Sequence, residues 1–388
     1  MKKTMKATHY SIIISCVILS TVLGQSLEDR ISSYNLIAGT QTIGAVYQFT
    51  QKSKTVETAE AILEMGSNII KVKVSGSEEG QHDLRTILDM PFKYYFFWYR
   101  SSASWYKQFP ETREKAEYEA VYAFVEHLLT EYNGSGKQFF VGHWEGDWYL
   151  LPGYNAKGDA DLSATENMVK WLNIRQKALD DAKRSVEHEN VDVFHYTEVN
   201  RVRDALVQGK RRLVNAVLPH VNVDYVSYSV YDVQRLEQKH FNETFNYIES
   251  KLKPKPGIKG KRVFVGEYGV CAESVKGNEL LHESMNRSYL IKALNWGCPF
   301  ILYWEMYNNE VKNGNQRGFW LIDDKNNKWP LYDTHHNLYA AAKEAIRDFH
   351  NRETRMPTAV EYQAWAVTWL SNWNSETKSC PQIALDSL

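Results

Sequence analysis

The sequence predicts an α/β fold, a closed (β/α)8 barrel, from three observations. Eight short apolar segments of strand-like composition recur along the chain, and amphipathic helical segments lie between most of them. These segments extend over roughly 320 residues, which suits a barrel of about 250 residues with loop insertions. No Gly-rich nucleotide-binding motif follows the first strand, and this disfavours the alternative, a doubly wound open sheet.

The first elements form a βαβ unit. Residues 42–49 have the composition of a strand, and Val56 and Ile62 lie on one face of a following helix that Gly66 ends. Residues 68–74 have the composition of the next strand. Two parallel strands joined in this way imply a right-handed crossover.

The later elements repeat this pattern. The remaining strands are predicted at residues 93–99, 138–144, 191–196, 223–231, 263–269 and 299–305, and helices at 111–131, 163–182, 202–218, 236–252 and 280–294. We expect the barrel domain to comprise residues 27–350. An extension at 351–388, rich in tryptophan, is expected to pack on the barrel as a helix.

The N-terminus has the features of a secretory signal peptide. Lysines near the start precede an apolar stretch from Ile12 to Leu23, which is shorter than the about 20 residues that a membrane-spanning helix needs. We therefore expect residues 1–24 to be removed, and the protein to be secreted, extracellular and not bound to a membrane. Sequons at Asn133, Asn242 and Asn286 are the predicted glycosylation sites.

Charge and composition restrict the partners. The formal net charge of −1 excludes the basic surface that a nucleic-acid-binding protein needs. The 12 Trp and 24 Tyr favour contact with carbohydrate, although large aromatic side chains also fill a large core. We expect a monomer that needs neither a metal nor a cofactor.

Functional residues of such a barrel lie at the C-terminal ends of its strands. The side chains predicted to bind substrate are Lys73, Trp98, Arg100, His143, Trp144, His195, Asn200, Tyr228, Tyr231 and Trp304. Two carboxylates, Glu145 and Glu267, each end an apolar strand, and strands four and seven face each other across the barrel. Two carboxylates about 5–5.5 Å apart can act as the acid/base and nucleophile of a retaining glycosidase. Alternatively, Glu267 closes a turn or pairs with Arg100 or Lys73.

Four segments resemble the clan A glycoside hydrolases, particularly the family 5 cellulase and mannanase type, and one of them, AILEMGSNIIKVKV at 61–74, resembles their first helix and second strand. RVFVGEYG at 262–269 resembles their nucleophile strand, ILYWEMYNN at 301–309 their eighth strand, and residues 318–332 the segment that follows it. The resemblance implies that Glu267 is the nucleophile, Glu145 the acid/base, and Trp304 the floor beneath the attacked sugar. It also implies that a tyrosine of strand six, Tyr228 or Tyr231, donates a hydrogen bond to Glu267.

Two departures from that pattern keep other functions open. Trp144 precedes Glu145 where clan A enzymes usually have Asn, and Lys73 stands where family 5 often has Arg. A sugar-binding barrel without catalytic activity is therefore one alternative. The other is a metal-dependent barrel hydrolase that uses His143, Glu145, Asp147 and His195, but the first strand lacks the His-x-His motif of that class.

Overall fold

The computed structural model describes residues 25–99 and 105–386. The chain divides into two compact units, residues 1–34 and 35–388. Helix α1 (Leu27–Ser32) belongs to the first unit and is capped by Ser26, whose side chain accepts the Asp29 N–H. The predicted signal peptide lies outside the described residues. Among the helices that the structure describes, none is long and apolar enough to cross a membrane.

The second unit is a closed barrel of eight parallel strands in sequential order, which confirms the predicted (β/α)8 fold. The strands are β1 (Ala38–Thr42), β2 (Ile69–Lys73), β3 (Tyr94–Trp98), β4 (Gln138–Gly142), β5 (Asp192–Val199), β6 (Tyr225–Ser229), β7 (Val263–Tyr268) and β8 (Ile301–Tyr303). The barrel closes where β8 pairs with β1, with Ala38 opposite Ile301.

Helices cover the outside of this barrel. They are α2 (Lys54–Met65), α3 (Glu78–Asp89), α4 (Glu111–Glu131), α5 (Gly146–Leu150), α6 (Leu162–Ser185), α7 (Val202–Gln208), α8 (Leu213–Ala216), α9 (Gln238–Glu249), α10 (Glu279–Trp296), α11 (Pro330–Glu353) and α12 (Ala359–Asn372). A small hairpin of β9 (Val311–Lys312) and β10 (Asn315–Gln316) follows β8. The tryptophan-rich extension forms α12, where Tyr362 donates a hydrogen bond to the Leu36 carbonyl at 3.0 Å.

The predicted position of the first strand is wrong. Residues 42–49 are mostly irregular, and β1 is instead the short, fully buried segment AGTQT at 38–42. Two of its polar side chains donate hydrogen bonds inside the barrel, Thr40 to the Tyr303 carbonyl and Gln41 to the Gly266 carbonyl. A Cβ at Gly39 would lie 2.8 Å from Ile69, so close strand packing here requires glycine. Apolar composition therefore could not reveal this strand.

Aromatic side chains fill the lower part of the barrel. Phe96 and Phe140 stack at 4.4 Å between ring centroids, and Ile69, Tyr196 and Phe264 belong to the same buried cluster. Side chains alternate in direction along a strand, so the residues two positions further on also point inward. In β2 and β5 these are Lys71 and Glu198, which form a polar layer above the aromatic one.

Two buried histidines make the stability of the barrel sensitive to acid. Burial lowers the pKa of His282 and of His335 to about 4, from an ordinary value of about 6.5. The unfolded chain binds more protons between these values, so the free energy of unfolding falls as pH decreases from about 6.5 to 4, by about 3 kcal/mol for each histidine. Denaturant titrations of wild type and His335→Gln at several pH values test this expectation.

The difference between the two pH curves isolates His335, because the buried carboxyls titrate alike in both proteins. His335→Gln should flatten the curve, because the variant has no imidazole to protonate at this position. Equal slopes for wild type and His335→Gln would contradict the assignment.

Candidate active site

A cavity of about 640 Å³ opens at the C-terminal ends of the strands. Its lining combines indole rings with carboxylate, amide and guanidinium groups: Trp98, Trp144, Glu145, Trp148, Asn200, Arg201, Tyr231, Asp232, Glu267, Trp304, Asn309, Glu310, Arg317 and Phe319. Both predicted catalytic carboxylates line this one cavity.

Glu145 lies three residues after the end of β4 and directly precedes the short helix α5. Its Oε2 accepts the indole N–H of Trp148 at 2.6 Å, and its backbone N–H donates to Glu198 Oε1 at 3.0 Å. Burial, together with the nearby Glu198 carboxylate, raises the pKa of Glu145 to about 8. These surroundings favour the protonated form of Glu145.

The segment after Glu145 is fixed by buried contacts. A Cβ at Gly146 would lie 2.4 Å from Leu213, so only glycine lets the chain turn this closely into α5. Asp147 accepts backbone N–H groups of Asn200, Arg201 and Leu213. The carboxylate of Asp147 therefore ties three loops together and holds the backbone next to Glu145.

A β-bulge aims Glu267 into the barrel. Phe264 points inward, so strict alternation would point Gly266 inward and Glu267 outward. The pairing of β6 with β7 shifts by one residue here, since Tyr228 lies opposite Val265 but Ser229 lies opposite Glu267. A Cβ at Gly266 would lie 1.7 Å from the Ser227 hydroxyl. The glycine in VFVGEYG thus permits the bulge that turns the carboxylate inward.

The buried Glu267 carboxylate has two polar neighbours. Tyr231 donates to its Oε2 at 3.2 Å, and Lys71 Nζ lies 3.7 Å from its Oε1. Burial raises the pKa of Glu267 well above its ordinary value, while Lys71 and Tyr231 act in the opposite direction. Glu145 and Glu198 raise the pKa further, so Glu267 and Glu145 titrate as interacting groups.

Lys71 is a functional residue that the sequence analysis missed. Its ammonium is fully buried, donates to Glu198 Oε2 at 3.0 Å, and lies 4.7 Å from the centre of the Trp98 ring. Lys73, the predicted residue, is exposed and lines a neighbouring cavity. The two lysines lie on one face of β2, and the alternation of inward side chains would have identified Lys71.

The other predicted binding residues separate into two groups. Trp98, Trp144, Asn200, Tyr231 and Trp304 line the 640 Å³ cavity. Trp144 contacts Trp98 edge-on at 6.4 Å between ring centroids, and Trp304 donates its indole N–H to Glu310 at 3.2 Å. Arg100 lies outside the described residues.

The predictions for His195 and Tyr228 need correction, because neither side chain lines this cavity, whereas His143 lies outside it but lines the neighbouring cavity beside Lys73. His143 hydrogen-bonds to Thr197 at 2.7 Å and His195 to Gln176 at 3.2 Å, while Tyr228 donates to Asp232. All three are buried against the surrounding helices and loops. Of the two tyrosines considered, Tyr231 is the one that contacts Glu267.

One predicted glycosylation site is also wrong. Asn286 in α10 is fully buried, and its amide nitrogen donates to the carbonyls of His282 and Val270. A glycan on this nitrogen would not fit the fold. Asn133 is exposed and Asn242 is partly exposed, so both remain predicted sites.

The described residues contain no group of three or more His, Cys, Asp or Glu side chains placed to hold a metal ion. The side chains considered for a metal-dependent hydrolase have protein partners instead. His143 bonds to Thr197, Asp147 to backbone amides, and His195 to Gln176.

Comparison with known proteins identifies solved structures that have a similar fold. No family model matches the sequence, and neither does any curated protein. Solved structures do match. An exo-β-1,4-mannosidase from Opitutaceae bacterium strain TAV5 superposes with a TM-score of 0.53 at 10% identity, covering 79% of this chain and 59% of that one. The chain has the fold of the clan A glycoside hydrolases.

Two further solved structures also match this chain at low sequence identity. A family 39 glycoside hydrolase from Bacteroides cellulosilyticus WH2 has a TM-score of 0.52 at 12% identity, with 81% of this chain and 65% of that one covered. Xylanase 10B from Thermotoga maritima has a TM-score of 0.50 at 13% identity, with 82% and 99% covered. This chain spans less than two thirds of the first two proteins. The resemblance to clan A is thus confirmed for the fold, whereas the narrower likeness to family 5 stays a prediction.

Proposed function

We propose that this protein is a secreted, retaining O-glycoside hydrolase that cleaves an oligosaccharide or polysaccharide. The observation that carries the proposal is the pair Glu145 and Glu267, which line one aromatic cavity and differ in their nearest charged neighbour. Glu145 faces a carboxylate and holds a proton, whereas Glu267 faces an ammonium group. A retaining glycosidase needs this division between acid and nucleophile.

In the first step, a Glu267 oxygen attacks the anomeric carbon while the glycosidic C–O bond breaks. The carboxyl proton of Glu145 passes to the leaving oxygen, and a covalent glycosyl–enzyme ester remains. In the second step, Glu145 takes a proton from water, whose oxygen displaces Glu267 from the same carbon. Two inversions leave the sugar with its original configuration, and Glu145 is protonated again.

The neighbours of the two carboxylates favour ionisation of Glu267. Two close carboxylates do not both ionise readily, so the pair retains one proton near neutral pH. Lys71 Nζ, 3.7 Å from Glu267, stabilises a negative charge there, and the Tyr231 hydroxyl adds a hydrogen bond. Glu145 accepts the indole N–H of Trp148, and although Lys71 also lowers its pKa, burial and the Glu198 carboxylate raise it to about 8. The proton therefore resides on Glu145.

Neighbouring cavities support an extended substrate. A second cavity of about 490 Å³ shares Trp98 and Trp144 with the first, and has Lys73 in its lining. A third cavity, also of about 490 Å³, shares Trp148 with the first. Aromatic faces that join successive cavities suit a chain of sugar rings. We therefore propose several sugar-binding sites on one monomer, and export through the signal peptide at residues 1–24.

Covalent trapping tests the proposal. Activated 2-deoxy-2-fluoroglycosides of several sugars slow both steps but still form the ester, so mass spectrometry of peptides should find the label on Glu267. The Glu267→Gln variant should remain unlabelled. Binding of oligosaccharides without labelling or turnover across the panel would instead favour the inactive sugar-binding barrel.

The pH dependence of activity should be bell-shaped. Glu145 must be protonated to donate, so kcat/KM should fall as pH rises through about 8. Glu267 must be ionised to attack, so activity should also fall as pH decreases through the pKa of that carboxyl. Initial rates on an aryl glycoside from pH 4 to 10 measure both limbs. A profile that lacks the alkaline limb would contradict the role of Glu145 as acid.

A further inference from the structure

Glu198 at the end of β5 is a buried carboxylate that the proposed mechanism does not use. Its Oε2 accepts Lys71 Nζ at 3.0 Å and the Ser227 hydroxyl at 2.7 Å. Its Oε1 accepts the Glu145 backbone N–H at 3.0 Å and the Ser229 hydroxyl at 3.3 Å. The side chain is fully buried. Both oxygens are occupied and shielded, so Glu198 cannot itself attack or protonate a sugar.

The partners of Glu198 connect it to both catalytic groups. One oxygen holds the backbone of Glu145, and the other holds the ammonium of Lys71, which in turn lies 3.7 Å from Glu267. The ion pair with Lys71 and the four hydrogen bonds allow Glu198 to be buried as a carboxylate, which places its negative charge beside both groups. An uncharged acceptor such as Gln could hold Lys71 but could not accept hydrogen bonds on both sides.

We propose that Glu198 is a positioning residue whose negative charge links Glu145 and Glu267 electrostatically and sets the pH range in which the pair works. This inference rests on the proposed function. The charge repels a negative charge on Glu145, which favours the protonated acid. The same charge shares Lys71 with Glu267, which limits how strongly the ammonium stabilises the nucleophile.

Other ionisable groups face this cluster and stay constant in the comparison below. For Glu145 these are Lys71, Asp147 and Tyr231; for Glu267 they are Lys71, Tyr196, Tyr231 and Glu305; and near Glu198 they are Lys71, His143 and Tyr196. Lys71 is the cation that contacts both Glu198 and Glu267 in this set. When the charge of Glu198 is removed, the ammonium of Lys71 is therefore no longer shared and interacts mainly with Glu267.

The Glu198→Gln variant should shift both limbs of the pH profile in the same direction. The pKa of Glu145 loses the repulsion from Glu198 and falls, so the alkaline limb moves to lower pH. The pKa of Glu267 gains an unshared ammonium and loses a like charge, so the acid limb also moves to lower pH. We expect each shift to be about one pH unit or more. A purely structural role would lower kcat and leave both limbs in place.

A titration without substrate gives a second readout. The indole N–H of Trp148 bonds to Glu145 Oε2, so the ¹⁹F resonance of 5-fluorotryptophan at position 148 should follow the ionisation of Glu145. Trp148→Phe identifies that resonance by its loss. The midpoint should lie near pH 8 in the wild type and about one unit lower in Glu198→Gln.

Two matched variants separate charge from geometry. Ser229→Ala removes a hydroxyl donor from Glu198 but keeps its charge, and Glu198→Asp keeps the charge on a shorter side chain. Both should hold the ¹⁹F midpoint near the wild-type value, even where kcat falls. The other fluorotryptophan resonances report whether each variant is folded.

An unchanged midpoint in a folded Glu198→Gln protein, or a midpoint shifted to higher pH, overturns the inference. The titration requires no turnover, so this result is independent of whether any glycoside is cleaved. Conversely, a shifted midpoint in a protein that labels no fluoroglycoside would support the role of Glu198 in the carboxylate pair while removing the proposed reaction.

Discussion

Replacement of Glu267 by Gln is expected to lower kcat by about four to six orders of magnitude, because the amide cannot form the glycosyl ester. The two side chains have nearly the same shape, so the bulge at Gly266 and the contact with Tyr231 should persist. Sugar affinity, measured by calorimetry with an oligosaccharide substrate, should change little. Rates on an aryl glycoside and the thermal unfolding midpoint check the two parts of this expectation.

A chemical rescue distinguishes the loss of a nucleophile from general damage. In Glu267→Gly, azide can enter the space of the missing carboxylate and attack the anomeric carbon directly. A single displacement inverts the centre, so the product should be the glycosyl azide of opposite configuration. Glu64→Gln, at an exposed glutamate of α2, is the matched control and should keep wild-type activity. Near-native turnover of Glu267→Gln would remove Glu267 from the mechanism.

The sequence predicted the barrel because most strands are continuous apolar runs, which strands buried on both faces require. It failed at β1, where Thr40 and Gln41 donate hydrogen bonds to carbonyls of β8 and β7 that lie over 200 residues away. Local composition carries no information about such partners. The later strands and most of the predicted helices depend on local apolar patterns and could therefore be predicted. The sequence analysis missed α3 and α11, and the helix expected at 202–218 is divided into α7 and α8.

Within the site, the sequence analysis predicted where the strands end. It did not predict which side chains point toward the barrel axis. Phe194 and Tyr196 in β5 point to the barrel axis, so alternation also directs Glu198 inward and His195 outward. An inward direction for Ser227 likewise directs Tyr228 outward. Applying the alternation of side chains along each strand would have removed His195 and Tyr228 from the predicted site. It would also have added Lys71 and Glu198. The position of Glu267 could not follow from this alternation, because the bulge at Gly266 reverses it.

The loss of Glu145 should have a different kinetic signature from the loss of Glu267. In Glu145→Ala, the first step lacks its proton donor. A general acid typically accelerates such a step by about 10²–10⁴-fold. Substrates with poor leaving groups, such as natural oligosaccharides, should lose that full factor. A dinitrophenyl glycoside releases its dinitrophenolate without protonation. The rate of the first step with this substrate should therefore stay within about tenfold of the wild-type rate.

The second step also depends on Glu145, which must take the proton from water. With a dinitrophenyl glycoside, Glu145→Ala should therefore release one equivalent of phenol in a rapid burst and then turn over slowly. Azide should accelerate the slow phase and yield a glycosyl azide of retained configuration, because Glu267 still performs the first displacement. The alkaline limb near pH 8 should disappear with the carboxyl. Trp148→Phe, which keeps that carboxyl, should retain the limb. An equal loss of rate for good and poor leaving groups would show that Glu145 does not act as the acid.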